Sequence, residues 1–524
     1  MVRTKAGSSG ALWYGILVLW LIGTVLLAWR FLPDIAANPV PLLPIFLLAC
    51  LSYFLLTGVF NVVVNVVSHR LRDPRPTAVT ARPSVAVFYC TYNDFERSAA
   101  ETLLDLTYTN LAIWMLDDST DPEHRQRVDA FARDAARRGK PVQVVRRPDR
   151  SGFKAGAINH ALALLPKNVA YVAIADSDER LVPDFVQRCL AHFTREDIAF
   201  VQANHVAYNK ESGWFTRYLG IGVDLHWRHY QRYRNRYGTV NMLGHGAIVR
   251  RDVLDRLGGF PLFTCEDLAF TVKARLAGYR GAFAADVVCG ETFPEDFSAM
   301  RRRHFRWSWA TVEFLRHHLR PILRGKIPVH EKMDILLPSV NLPAVFLLVA
   351  FFAAVYGSHW ANVSMAAFRD PVVIGLGVFA SLAPLAMFID LFRRPGFALK
   401  AIVVNTAAYL ALFPVSVVGV LRGVSRPAEF LVTPKGTKDR LTLRRAIREA
   451  RVEVAFGGAM LLLGILAFGP AGATSPIGWA ALGTPLLMVS SRAALQAPAA
   501  AGPPPVVRGL LDNRLMVERG SGEQ

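Results

Sequence analysis

The chain predicts an α/β domain with a mostly parallel sheet, flanked by α-helical transmembrane regions and carrying amphipathic interface helices. Three observations lead to this. Apolar runs long enough to cross a bilayer lie near both ends. Between them, short apolar segments alternate with helical patterns, as in a parallel sheet. Three of these segments end on polar or acidic residues, at the sheet edge where open α/β folds bind ligands.

The membrane elements come first in order. With 524 residues, 52% hydrophobic composition and a mean hydropathy of +0.27, the chain is too apolar for a soluble enzyme. It is also too charged to lie wholly in lipid. Apolar runs cover 11–28, 41–67, 335–356, 372–392, 401–421, 454–468 and 477–489. Arg3 and Lys5 precede the first run, as in a secretory signal, but the second run follows almost at once. Residues 1–75 therefore predict a transmembrane hairpin. Arg70, Arg72 and Arg75 follow that hairpin, Arg393, Arg394 and Lys400 follow a later run, and 435–451 is strongly basic. The loops 30–41, 357–370 and 469–475 are nearly free of Lys and Arg. The positive-inside rule then places the central domain and both termini in the cytosol of a bacterial-type inner (plasma) membrane.

A span at 401–421 would carry the basic segment outside, so that run predicts an interfacial or re-entrant helix on the cytosolic side. Six spans remain. The net charge of +19 suits cytosolic bases near anionic lipid. No nucleic-acid motif interleaves these charges, which excludes a nucleic-acid partner. The five cysteines follow no zinc-ligand spacing and are expected as buried thiols. The full division is 1–75, a cytosolic domain at 76–298, interface helices at 299–332, a membrane region at 333–495 and a disordered tail at 496–524.

Within the domain, 84–90 predicts a strand ending at Thr91-Tyr-Asn-Asp94, and 112–116 a strand ending at Asp117-Asp118-Ser119. Helical pattern fills 122–138, 142–145 is a short strand, and Gly152-Phe-Lys-Ala-Gly156 opens a helix. The strand before Asp176-Ser-Asp178 is apolar apart from Tyr171 and suits the sheet interior. Alternate residues of an extended chain point the same way, so Asp176 and Asp178 can face one site. Clustered carboxylates of this kind suit a hard divalent cation shared with phosphates, Mg²⁺ or Mn²⁺. The plain alternative is a solvated acidic turn.

These segments, with Cys265-Glu-Asp267, Arg303-His-Phe-Arg306-Trp307 and Phe430-Leu-Val-Thr-Pro-Lys435, resemble family 2 inverting glycosyltransferases. The cellulose-synthase-like membrane branch is most similar, over about residues 80–440. The resemblance implies a GT-A-like fold. Arg303 stands where the branch has Gln, and Cys265 where many members have Thr.

The resemblance makes Asp267, beside Glu266, the catalytic general base; the alternative for Asp267 is helix capping. Asp176 and Asp178 become metal ligands. Thr91, Tyr92, Asp94, Asp117 and Asp118 become nucleotide contacts, with a turn role the alternative for Asp94. Lys154, Arg303 and Arg306 would meet the diphosphate, although a surface lysine and snorkelling arginines are the bland readings. Trp307 and His245 would face the acceptor, with a packed structural role open for His245. Phe430, Val432, Thr433 and Lys435 would form a gating loop within 426–440.

The implied activity is extension, with translocation, of a β-linked exopolysaccharide from a nucleotide sugar, UDP-glucose foremost. Non-processive transfer to a lipid acceptor is the alternative within this fold. A transporter or scaffold with an inactive domain is the alternative of another class, opposed by the full acidic set.

Overall fold

The computed structural model describes residues 7–74, 76–77, 81–363, 365–428 and 439–495. Its centre is a seven-stranded sheet in the order β3-β2-β1-β4-β6-β5-β7. The strands are β1 Val85–Thr91, β2 Leu111–Asp117, β3 Val142–Val145, β4 Tyr171–Asp176, β5 Ile198–Ala207, β6 Ala247–Arg250 and β7 Arg280–Glu291. β6 runs antiparallel to both β4 and β5, and the remaining pairings are parallel. The four expected strands all form. β5, β6 and β7 are additions: β5 interrupts its apolar pattern with Gln202, Asn204 and His205, and β6 is only 4 residues long.

Alternation along β1 builds two cores. Val85, Val87 and Tyr89 face one layer, where Leu103, Val128 and Phe131 pack from helices Arg97–Leu104 and Pro122–Arg137. Ala86 and Phe88 face the other, with Ile158, Val253 and Phe270 from helices Phe153–Leu164, Arg251–Leu257 and Glu266–Leu276. Both sheet faces are thus covered, as parallel strands require.

Helix Trp214–Tyr237 joins this domain to the membrane helices. Its Tyr230 and Tyr233 pack with Phe60, Trp13 and Phe31, while its Phe215 and Leu219 pack with Phe297 and Met300. The basic amphipathic stretch is one helix, Phe297–Arg324, whose N-cap Asp296 accepts a hydrogen bond from Ala299 N at 2.8 Å.

Among the described residues, four helices are long and apolar enough to cross a membrane: Gly10–Ala37, Leu42–Arg70, Pro371–Arg393 and Arg451–Thr474. Two bent pairs raise the count to six if each is one span: Val329–Asn341 with Val345–Trp360 at 59°, and Pro395–Ala411 with Phe413–Ser425 at 41°. The second pair covers the run expected to be interfacial or re-entrant. Its helix Phe413–Ser425 lies along Phe297–Arg324, with Gly419 against Phe305 and Ser308, and Gly423 against Val312.

The span expected at 477–489 is corrected. Helices Pro476–Leu482 and Thr484–Ala493 have 7 and 10 residues. At about 1.5 Å per residue neither crosses a hydrocarbon core of about 30 Å. Gly483 and Pro485 fall at the break, and Gly457 packs close enough to Gly478 and Leu482 to fold this limb back on helix Arg451–Phe468. The gating-loop residues Phe430, Val432, Thr433 and Lys435, and the tail 496–524, lie outside the described residues.

Candidate active site

The register brings the expected strand ends together. Thr91 pairs across from Asp117 and Cys90 from Asp176, so β1, β2 and β4 open onto one edge. Asp94 braces that edge. Thr91 Oγ1 and Tyr92 N donate to its Oδ1 at 2.9 and 2.8 Å, and Ser177 Oγ donates to its Oδ2 at 2.6 Å. Both carboxylate oxygens are therefore held internally, in the turn role that the sequence left open.

Asp117 is also an anchor. Its side chain is wholly buried, taking Arg146 Nε at 2.7 Å and Ser119 N at 3.0 Å, which removes it from the open face where a nucleotide contact was expected. Asp118 meets a fork from Arg147, Nε at 2.8 Å and Nη2 at 2.6 Å. Arg147 also donates to Ser151 O and Phe153 O, tying this acid to the loop that starts the next helix. Arg150 lies over the Tyr92 ring at 3.2 Å. The sequence reading missed these three arginines. Their signal was a basic run directly after a strand, on the loop that returns to the edge.

Across the edge lies an acid cluster. Lys154 Nζ donates to Asp176 Oδ1 and, at 2.9 Å, to Gly244 O, and lies 3.9 Å from Glu266 Oε1. Lys154 thus holds the acids themselves, in place of a lysine standing out to meet a phosphate or solvent. Burial opposes its charge, but Asp176 and Glu266 outweigh burial and raise it above the usual lysine range. Asp267 sits in the first turn of Glu266–Leu276, its Oδ1 accepting from Leu268 N at 2.7 Å; Cys265 holds the N-cap position. Gly244, at φ +88°, passes so close that a Cβ there would stand 3.4 Å from Asp267 Oδ2. Burial raises the carboxyls of both Glu266 and Asp267, and for Glu266 the Asp267 charge adds to it. Arg306 faces this cluster. Burial and then Arg303 lower its guanidinium, against the pull of Asp176, Glu266 and Asp267.

From Glu179, next to Asp178 in the chain, runs a buried set of charges that the sequence did not reveal. His245 Nδ1 bonds Glu179 Oε2, and His245 Nε2 lies 3.1 Å from Glu291 Oε2. The His205 ring stacks on His245 at 4.3 Å. Burial opposes charge on His245, but the two glutamates outweigh it and hold the imidazole protonated. Burial drives His205 down to about 3 and Glu179 up to about 7, while the His245 bond and charge overcome burial and pull Glu291 down to about 2. His245 is thus the packed structural alternative. Arg303 extends the chain: its Nη2 is 4.0 Å from Glu291 Oε1, and its guanidinium covers Trp307 at 4.4 Å and Phe293 at 5.5 Å. The neighbouring Trp309 is core, wholly buried, its indole N–H donating to Arg426 O at 3.0 Å.

Residues 171–409, from β4 through the Arg306–Trp307 helix and beyond, match the family model described as Glycosyl transferase family group 2. That stretch of the chain is similar to family 2 glycosyltransferases. Glucomannan 4-beta-mannosyltransferase 2 of Arabidopsis thaliana is 30% identical over 220 residues, 41% of this chain and 41% of the relative. Glucomannan 4-beta-mannosyltransferase 1 of Oryza sativa subsp. japonica is 27% identical over 46% of this chain and 48% of its own. The chain thus spans less than half the length of these relatives. The solved mannosyltransferase of Pyrobaculum calidifontis, in complex with GDP-Man and Mn2+, aligns over 70% of this chain and 99% of its own, with 20% identity and a TM-score of 0.50. That likeness shows the GT-A-like fold.

Proposed function

We propose that this protein is a membrane glycosyltransferase that moves a hexose from a nucleotide sugar to the end of a β-linked polysaccharide, with inversion. The observation that carries this reading is the convergence of Asp176, Glu266, Asp267, Lys154 and Arg306 on one sheet edge, beside the Asp118–Arg147 loop.

Asp267 takes the proton from the acceptor hydroxyl as that oxygen attacks the sugar carbon. Lys154 and Gly244 fix its surroundings, and burial gives it a carboxyl poised upward from the usual range. Asp118, Tyr92 and Thr91 offer the nucleoside a rim, and Arg306 offers the leaving diphosphate a cation. The donor set at Asp176 and Asp178 is all hard oxygen and fits Mg²⁺ or Mn²⁺. A divalent cation held there would offset the charge that builds on the leaving diphosphate. Trp307 presents an aromatic face for a pyranose of the acceptor. The basic flanks of the apolar helices support a cytosolic domain at a plasma membrane of the bacterial inner type.

UDP-glucose was the donor expected first. The glucomannan mannosyltransferase relatives put an activated mannose beside it, so the donor is a nucleotide-linked glucose or mannose. The deciding experiment gives purified protein in lipid nanodiscs a panel of UDP- and GDP-hexoses with Mn²⁺, followed by linkage and product-size analysis. Polymer from one donor supports the reading, and a lipid-linked monosaccharide replaces it with the non-processive alternative. Failure of every donor to release nucleotide overturns it.

A further inference from the structure

Resting on the reading of Asp267 as the base, we propose that Thr239 is a positioning residue for the transfer step. Through Glu331 it holds the segment 239–246 in place against the helix that carries Asp267, so that the base meets an acceptor hydroxyl rather than water.

Residues 239–243, between helix Trp214–Tyr237 and β6, form neither helix nor strand. Side chains from several elements hold their backbone instead. Thr239 N donates to Asp334 Oδ2 at 2.9 Å, and Asn241 N to Gln231 Oε1 at 3.2 Å. Met242 N donates to Thr271 Oγ1 at 2.9 Å, and Leu243 N to Gln202 Oε1 at 2.8 Å. Gln202 Nε2 donates in turn to His245 O at 3.0 Å, and Lys154 Nζ to Gly244 O at 2.9 Å. An irregular stretch whose N–H groups are met this way is placed by those side chains. Its far end belongs to the site. Gly244 lies against Asp267, and His245 reaches Glu291, which neighbours Arg303 over Trp307. The segment thus links the base to the charges that end over the proposed acceptor wall.

One carboxylate joins this segment to the base helix. Glu331 Oε2 accepts from Thr239 Oγ1 at 3.2 Å and from Arg275 Nε, and its Oε1 accepts from Arg275 Nη2 at 3.0 Å. Arg275 lies in the last turn of Glu266–Leu276, whose first turn carries Asp267. Thr271 makes a second tie. Its one proton goes to Asp267 O at 2.9 Å, so its oxygen is free to accept from Met242 N. Glu331 and Asp334 are buried on Val329–Asn341, the first limb of the pair bent by 59°. The Arg275–Glu331 pair by itself holds the domain to that limb. What the Thr239 hydroxyl adds is a fixed distance between the segment and the base helix. A displacement of about 1 Å away from the chemistry can cost about 100-fold when reacting groups must be aligned. In transfer, the acceptor oxygen gives its proton to Asp267 and bonds the sugar carbon, while the bond from that carbon to the diphosphate oxygen breaks. Water is small and turns freely, so it reaches the same carbon without the segment. Misplacement therefore costs transfer and spares hydrolysis.

The test uses full-length protein in lipid nanodiscs with Mn²⁺ and labelled UDP-glucose or GDP-mannose. Nucleotide release, sugar found in polymer, affinity for UDP or GDP, and Tm are read separately. Thr239→Val keeps the branched shape, removes the hydroxyl and leaves Arg275 on Glu331. Its transfer should fall about 10- to 100-fold, with donor hydrolysis and diphosphate affinity within about twofold of wild type. Thr239→Ser keeps a hydroxyl and should restore most of the transfer. Thr271→Val breaks the second tie and should shift the balance the same way, which keeps the test open if Thr239→Val fails to fold. Wild-type transfer in the valine variants overturns the proposal. So does a joint loss of transfer and hydrolysis in step with a lowered Tm, the mark of a bond that serves only the fold. A Thr239→Ser no better than Thr239→Val overturns it as well. Wild type that releases no nucleotide from either donor removes the function reading first, and this inference with it.

Discussion

The two sides of the cleft hold their charges differently. On the Asp118 side, each acid meets a cation from the stretch 146–154: Arg147 for Asp118 and Arg146 for Asp117 from a loop, and Lys154 for Asp176 from the first turn of the helix that follows. On the His245 side, one imidazolium lies between Glu179 and Glu291, residues far apart in the chain, with Arg303 at the end. Guanidinium forks on loops can trade a carboxylate for a phosphate as a nucleotide enters. A buried imidazolium between two glutamates cannot trade partners without stranding a charge. On the proposed function, the Asp118–Arg147 pair suits binding and release, while the second side suits staying fixed.

The strongest way to break this contrast is Asp178→Asn. It should reduce transfer by more than about a thousandfold and weaken nucleotide binding in Mn²⁺, since it removes one of the two proposed carboxylate ligands of the cation. Activity that survives excess chelator would sink the metal role.

Next comes Asp267→Asn. Turnover should fall about 10²–10⁴-fold while nucleotide-sugar affinity, measured by calorimetry, stays near wild type. The wild-type pH profile sharpens the point. Burial raises both Asp267 and Glu266, so the base is protonated at low pH and turnover falls as pH drops through the raised value. Stability runs the other way: a raised carboxyl makes the folded state bind its proton more tightly, so stability declines as pH rises through the same window. Parallel decline of turnover and Tm toward acid would contradict this assignment.

On the fixed side, Glu291→Gln should cost about 3–5 kcal/mol of stability in chemical unfolding, because it leaves the His245 charge half-compensated in a buried place. An unchanged midpoint would show that the chain of charges is not needed for the fold.

The smallest effect is expected at Arg303. The sequence paired it with Arg306 toward the diphosphate. Its place over Trp307, beside Glu291, puts it on the fixed side instead. Arg303→Gln should therefore leave product inhibition by the nucleoside diphosphate within about twofold and raise the acceptor KM about 2- to 30-fold, the worth of a cation–π contact of about 0.5–2 kcal/mol. A weakened diphosphate constant would return Arg303 to the binding side.

Both the legible and the illegible parts have physical causes. β1, β2 and β4 could be read because a strand buried on both faces needs a continuous apolar run, and its end is marked by the first polar residue. Asp118, Asp176 and Asp267 stand in short motifs that the fold brings toward one sheet edge. Helix Trp214–Tyr237 was hidden because arginines and tyrosines cover its domain-facing and membrane-facing sides, giving it no simple apolar stripe. The limb at 477–489 looked like a span because hydropathy counts side chains and misses a Gly–Thr–Pro break and a close Gly457–Gly478 contact.

The sequence by itself determined the class of molecule: a parallel α/β domain, an acidic strand-end site, and apolar helices with basic flanks. These depend on local periodicity, residue chemistry and charge placement, which need no knowledge of distant neighbours. Only the tertiary structure decided which acids stay open and which become anchors, as Asp94 and Asp117 do. It alone joined Glu179, His205, His245 and Glu291 into one buried set, and Thr239 and Arg275 on Glu331. Ionisation and hydrogen bonding depend on what lies within a few ångströms, and those neighbours come from elements far apart in the chain, such as Glu179 with Glu291 and Thr239 with Glu331.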